Sequence, residues 1–78
     1  MKKLRFSQKY TRLLRALREA RREARLTQTA VARHFDSHAS FISKIESGER
    51  RIDVVELAEL CRLYKVKLGE FLTQAGIQ

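Results

Sequence analysis

Small polar residues recur at helical spacing in the segment ASFISKIES, residues 39–47. At about 100° per residue, Ala39, Ser40, Ser43, Lys44 and Ser47 share one arc of roughly 140°. A serine hydroxyl can bond a base edge or a phosphate, an alanine methyl can meet a thymine methyl, and a lysine can donate to guanine. None of these side chains is bulky enough to hold a helix out of a duplex major groove. The alternative is an ordinary solvent face, but in a chain that is 33% charged such a face would carry more charge. Phe41, Ile42 and Ile45 cluster on the opposite side and are expected to meet a core. Gly48 suits a left-handed helix end, and Arg50 and Arg51 follow it in a basic loop. Together these residues point to a helix that reads DNA.

Glu46 falls between the two arcs. An acid beside a polyanion-binding surface is unfavourable unless it is paired. Arg21 or Arg18 can neutralise it, and such a pair would lock the first helix to the third; a free surface glutamate is the other reading.

The elements that must hold this arc can be traced along the chain. Residues 1–9 read as a basic N-terminal arm and residues 10–78 as one domain. Tyr10, Leu13, Leu14, Leu17, Ala20 and Ala24 have the spacing of an amphipathic helix. Thr27 suits the N-cap of a second helix from Gln28 to about Phe35, with Val31 and Phe35 buried. Asp36 and Ser37 break the pattern. Ser37 or His38 then caps a third helix, His38 to Ser47. Asp53 followed by Glu56 forms a capping-box pattern opening a helix to about Tyr64, with Val54, Leu57, Ala58, Cys61 and Tyr64 inward. Leu68, Phe71, Leu72 and Ala75 mark a short final helix. Phe71, Leu72 and Ile77 exceed what a short terminus needs and predict contacts with a second copy. With no proline and little alternation, the class is all-α.

Seventy-eight residues bound the chain to one domain with a small core. The net charge of +8 is uneven: residues 1–25 hold ten Lys/Arg against Glu19 and Glu23, and the remainder is balanced. A basic segment of this kind favours a polyanionic partner, nucleic acid before an acidic membrane surface. Membrane binding is the poorer reading because the core claims the apolar stripe of the first helix. Cys61 stands alone, which excludes an internal disulfide, fits a reducing compartment and reads as a small core residue. No apolar run is long enough for a membrane span and no signal peptide is evident, so a cytoplasmic location is expected. His34 and His38 are four apart, but a turn separates them and no cysteine or acid cluster completes a site, so no metal is expected. There is no glycine-rich phosphate loop; neither a cofactor nor an enzymatic activity is expected.

The ordered set Leu26-Thr27-Gln28, Ala32, Ile42-Ser43-Lys44-Ile45-Glu46-Ser47-Gly48 and Glu49-Arg50-Arg51-Ile52-Asp53-Val54-Val55-Glu56 resembles the XRE-type helix-turn-helix family, which includes phage repressors and Cro-like proteins. The resemblance spans about residues 10–73. It implies a compact five-helix, lambda-repressor-like DNA-binding domain. It further implies that Gln28 contacts a phosphate and that Ala39, Ser40 and Lys44 address base edges. Phe41 and Ser43 would border them, Ser43 touching backbone, while Arg50 and Arg51 hold flanking phosphates. Arg21 and Glu46 match the family's structural ion pair. The implied function is a sequence-specific transcriptional regulator of double-stranded DNA, a repressor. It would bind a palindromic operator as a homodimer with helix 38–47 in the major groove, in a bacterial or phage-encoded, nucleoid-associated setting. The second reading is an antitoxin-like or accessory module that binds a partner protein; the sequence lacks the long tail that often wraps a toxin. Two positions depart from the pattern. Asp36 stands where glycine is usual, and Ala39 where glutamine is frequent, which removes a bidentate adenine contact.

Overall fold

Helix starts follow the residues able to satisfy the first unpaired N–H groups. The computed structural model describes residues 7–77. Among them are five helices and no strand: α1 (Gln8–Glu23), α2 (Gln28–His34), α3 (Ala39–Ser47), α4 (Val54–Leu63) and α5 (Leu68–Gln74). The Ser7 hydroxyl accepts from the Tyr10 N–H and starts α1. The helix therefore takes in Gln8 and Lys9, which the sequence reading leaves in the basic arm; residues 1–6 of that arm lie outside the described residues. Thr27 accepts from the Ala30 N–H at α2, and Asp53 and Glu56 form a reciprocal capping box at α4. For α3 the cap is His38, with no side-chain cap bond. Ser37 lies one residue before the cap position, in the closing turn of α2, where its N–H donates to the Ala32 carbonyl.

Four helices end in the same way. The N–H groups of Leu26, Ser37, Val66 and Ile77 reach back to the carbonyls of Arg21, Ala32, Cys61 and Leu72, with a left-handed residue before each donor. Those left-handed residues are Arg25 (φ 61°), Asp36 (φ 53°), Lys65 (φ 62°) and Gly76 (φ 81°). A Cβ in this conformation costs about 1 kcal/mol, less for aspartate, whose short polar side chain tolerates it. Asp36 thus closes the tight turn between α2 and α3 in place of glycine. Gly48 ends α3 at φ 86°, with Leu14 Cδ1 only 3.2 Å from where a Cβ would sit.

The core joins Leu13, Leu14 and Leu17 of α1 to Val31 and Ala32 of α2, Ile42 and Ile45 of α3, and Leu57, Leu60 and Cys61 of α4. Two expectations for α4 are corrected: Val54 and Ala58 are exposed, and Leu60 turns inward. The capping box fixes the phase of α4 so that Leu57, Leu60, Cys61 and Tyr64 form the inward stripe, leaving Val54 and Ala58 on its shoulder. Burial pushes the Cys61 thiol and the Tyr64 phenol up, keeping both protonated at neutral pH. Phe71 is buried, and Leu72 and Ile77 are partly buried against the core. Among the described residues the large hydrophobics left exposed are Val54 and Val55, at 68% and 74%.

A polar tie fastens α2 to α4. His34 Nε2 lies 2.6 Å from Glu59 Oε2, and Arg62 donates to the same carboxylate. The Arg62 hydrogen bond, seconded by His34, holds the Glu59 carboxyl at about 2, below its usual 4.5. A depressed carboxyl contributes stability above its unfolded value and loses it as pH falls through its folded value. Wild-type stability should therefore carry an increment that disappears between about pH 4.5 and 2. Glu59→Gln should lack that increment and show a flatter acid limb in urea titrations from pH 6 to 2. The tie is solvent-accessible, so the difference should be small and shrink in high salt.

Candidate nucleic-acid interface

The third helix is fixed from behind by one buried acid. The Glu46 side chain is 2% exposed and accepts from Arg21 Nε at 2.6 Å and Arg21 Nη2 at 3.1 Å. A third Arg21 hydrogen bond, Nη1 to the Leu26 carbonyl at 3.0 Å, spans the turn into α2. The hydrogen bond from Arg21 to Glu46 raises the arginine pKa further, against the opposing effect of burial. Arg18 approaches the same carboxylate at 3.7 Å from the half-exposed side, so Arg21 is the principal partner and Arg18 a secondary one. One carboxylate therefore couples α1, α2 and α3.

Gln28 opens α2, and its Nε2 donates to Glu46 Oε1 at 3.0 Å. Its amide is thus held by the same acid. On α3, Ser40 and Lys44 are exposed, and Ala39 and Ser43 are half-buried. The hydroxyls of Ser43 and Ser47 each donate to their own helix, to the carbonyls of Ser40 and Lys44 at 3.2 Å. Ser43 therefore presents its oxygen outward chiefly as an acceptor, whereas the Ser47 oxygen already accepts from the Glu49 N–H at 3.4 Å. Among the described residues Lys44 has no ion-pair partner, which leaves its three donors available. Phe41 is half-buried, with its ring 5.6 Å from that of Phe35. It thus supports the arc from its edge.

The loop after α3 is held more firmly than its composition implies. Arg50 Nη1 and Nη2 donate to the two carboxylate oxygens of Glu56 at 3.0 and 2.9 Å, while the guanidinium lies 4.8 Å from the centre of the Phe41 ring. The Arg50 hydrogen bonds pull the Glu56 carboxyl below the usual range and raise Arg50 in turn. Arg50 also closes the loop through its backbone N–H, which donates to the Lys44 carbonyl at 3.0 Å. The Arg51 guanidinium lies 4.3 Å from the centre of the Tyr10 ring, and the Tyr10 hydroxyl accepts from the Ile52 N–H. Both arginines are therefore partly engaged inside the molecule, Arg50 by charge and Arg51 by stacking. Two organisers were missed as such from sequence. Tyr10 reads as core and Glu56 as a capping residue, and each also pins the loop beside α3.

The structure brings together Gln28, the α3 arc and the Arg50–Arg51 loop, with Arg21 and Glu46 behind them. Among the described residues no group of three or more His, Cys, Asp or Glu side chains is placed to hold a metal ion, and no helix is long and apolar enough to cross a membrane. Comparison with protein-family models matches a helix-turn-helix domain over residues 11–72. Neither the comparison with curated proteins nor that with solved structures gave a match. With five helices in place and the family match covering most of its length, the chain belongs to the helix-turn-helix domain family, a DNA-binding family of the XRE/Cro-like type.

Proposed function

We propose that the protein is a sequence-specific regulator of transcription that represses by occupying a palindromic operator as a homodimer, with α3 in the major groove of double-stranded DNA. The observation that carries this reading is the small, polar arc of Ala39, Ser40, Ser43, Lys44 and Ser47, exposed at Ser40, Lys44 and Ser47 and half-buried at Ala39 and Ser43, on a helix braced from behind by Arg21 and Glu46. A braced helix presents its few donors and acceptors in fixed register, as base-edge recognition requires. In this reading Ala39, Ser40 and Lys44 face bases, and Ser43 and Gln28 meet backbone. Phe41 fills the edge of the arc, and Arg50 and Arg51 flank it with positive charge. The net charge of +8 supplies the sequence-independent part of the affinity. Repression needs no more than occupancy, and the protein would act in the cytoplasm at the nucleoid. The exposed Val54 and Val55 lie just after the Arg50–Arg51 loop and, among the described residues, are the large exposed apolar side chains that a second copy would cover.

Selection of bound duplexes from a random pool, followed by sequencing, tests the reading. The expected result is one motif made of two inverted half-sites whose centres lie about 10 base pairs, or a multiple of that, apart. A motif without symmetry would remove the homodimer. A pool with no enrichment would overturn sequence-specific regulation and favour the antitoxin-like module that binds a partner protein.

A further inference from the structure

We infer that the DNA-contacting surface continues from α3 onto α1, where Arg15, Arg18 and Arg22 follow the phosphate backbone of the same duplex. This rests on the proposed DNA-binding function. The three arginines recur at spacings of three and four and occupy roughly 60° of the α1 surface. All three are exposed, and among the described residues neither Arg15 nor Arg22 makes an ion pair. They line a groove of about 410 Å³ whose other wall is Ser47 and Gly48, the end of α3. Ser47 belongs to the polar arc, so the arginine face and the arc meet without an intervening element.

Charge selects the occupant. Glu46 lies at the floor of the groove, where Arg21 neutralises it, and Glu19 is the acid on the rim. The balance of the groove is therefore positive. Arg18 links the two surfaces directly, since it and Gln28 both approach Oε1 of Glu46, at 3.7 and 3.0 Å. A row of guanidinium groups beside a groove-reading helix matches the regular charge of a phosphodiester backbone, and planar forks bond phosphate well. A cationic partner finds no complement there. The opposite flank of α1 differs: Ala16, Ala20 and Glu23 line a separate groove with Lys65 and Lys67. Those two lysines thus serve as a control of equal charge on another face.

The test compares Arg15→Gln/Arg22→Gln with Lys65→Gln/Lys67→Gln; Arg18 is left in place because it touches Glu46. Affinity for a labelled 30-base-pair duplex of random sequence is measured between 50 and 200 mM salt, and thermal unfolding confirms that each protein is folded. Each phosphate contact contributes about 0.9 to the slope of log affinity against log salt, so the arginine variant should flatten it by nearly 2. Over that range wild type should lose about tenfold more affinity than the arginine variant. The lysine variant should follow wild type. Equal slopes for the two variants, whether both altered or both unaltered, would overturn the α1 contact, because the effect would then be one of net charge or none. Absence of duplex binding by wild type would overturn the proposed function itself and this inference with it.

Discussion

Replacing Arg21 with methionine should lower folding stability by about 3–5 kcal/mol, the usual cost of leaving one member of a buried ion pair alone. Arg21 supplies two of the hydrogen bonds to Glu46 and the only one in this network that reaches the Leu26 carbonyl. After the substitution the carboxylate keeps Gln28 and the more distant Arg18, neither of which replaces a bidentate guanidinium. A domain of this size has about 5–8 kcal/mol in total, so the variant should be largely unfolded at modest urea concentrations. Chemical denaturation at neutral pH checks the figure. The double variant Arg21→Met/Glu46→Leu should recover most of the loss, since removing both charges also removes the desolvation penalty. If Arg21→Met costs less than about 1 kcal/mol, the pair has the modest worth of a surface bridge and the bracing described for α3 is wrong.

Lys44→Glu should have the largest effect on function without a comparable effect on folding. The side chain is exposed in the last turn of α3, so reversing its charge should cost no more than about 1 kcal/mol of stability through the helix dipole. Against a duplex, the substitution removes a cation from the proposed reading arc and sets an anion beside the phosphates. Like charges juxtaposed at an interface cost several kcal/mol, so affinity for a selected duplex should fall at least 100-fold. Fluorescence anisotropy with the enriched sequence measures it. A decrease below about threefold, with the fold intact, would take Lys44 out of the interface.

Much of this arrangement was legible in the sequence because it is local. Helical spacing located all five helices, and Asp53 with Glu56 marked the start of α4 by itself. The charge sequence also narrowed the partner of Glu46 to two arginines, since few other cations could reach it. What escaped depends on packing between segments. Val54 and Ala58 are apolar at helical spacing, yet the phase that turns them outward is set by the capping box together with the wall that α4 meets. Ser37 looks as good a cap as His38, but it is taken up in the closing turn of α2 and α3 begins one residue later, after His38. Arg50 reads as a phosphate-holding cation in a basic loop, because nothing in its neighbourhood reveals that Glu56 and Phe41 converge on it. Its pairing is a loop-to-helix contact, which no periodicity encodes.

The left-handed helix ends have a consequence for how long the protein lasts. Arg25, Asp36 and Lys65 each hold a conformation that glycine adopts without strain, and the chain forgoes up to about 1 kcal/mol at each. Every 1.4 kcal/mol changes the ratio of folded to open chain tenfold, and proteases act on the open form. The same three turns that join the helices thus keep a larger fraction of molecules open at any moment than the sequence requires. In a cell that open fraction is the part of the population on which proteases act.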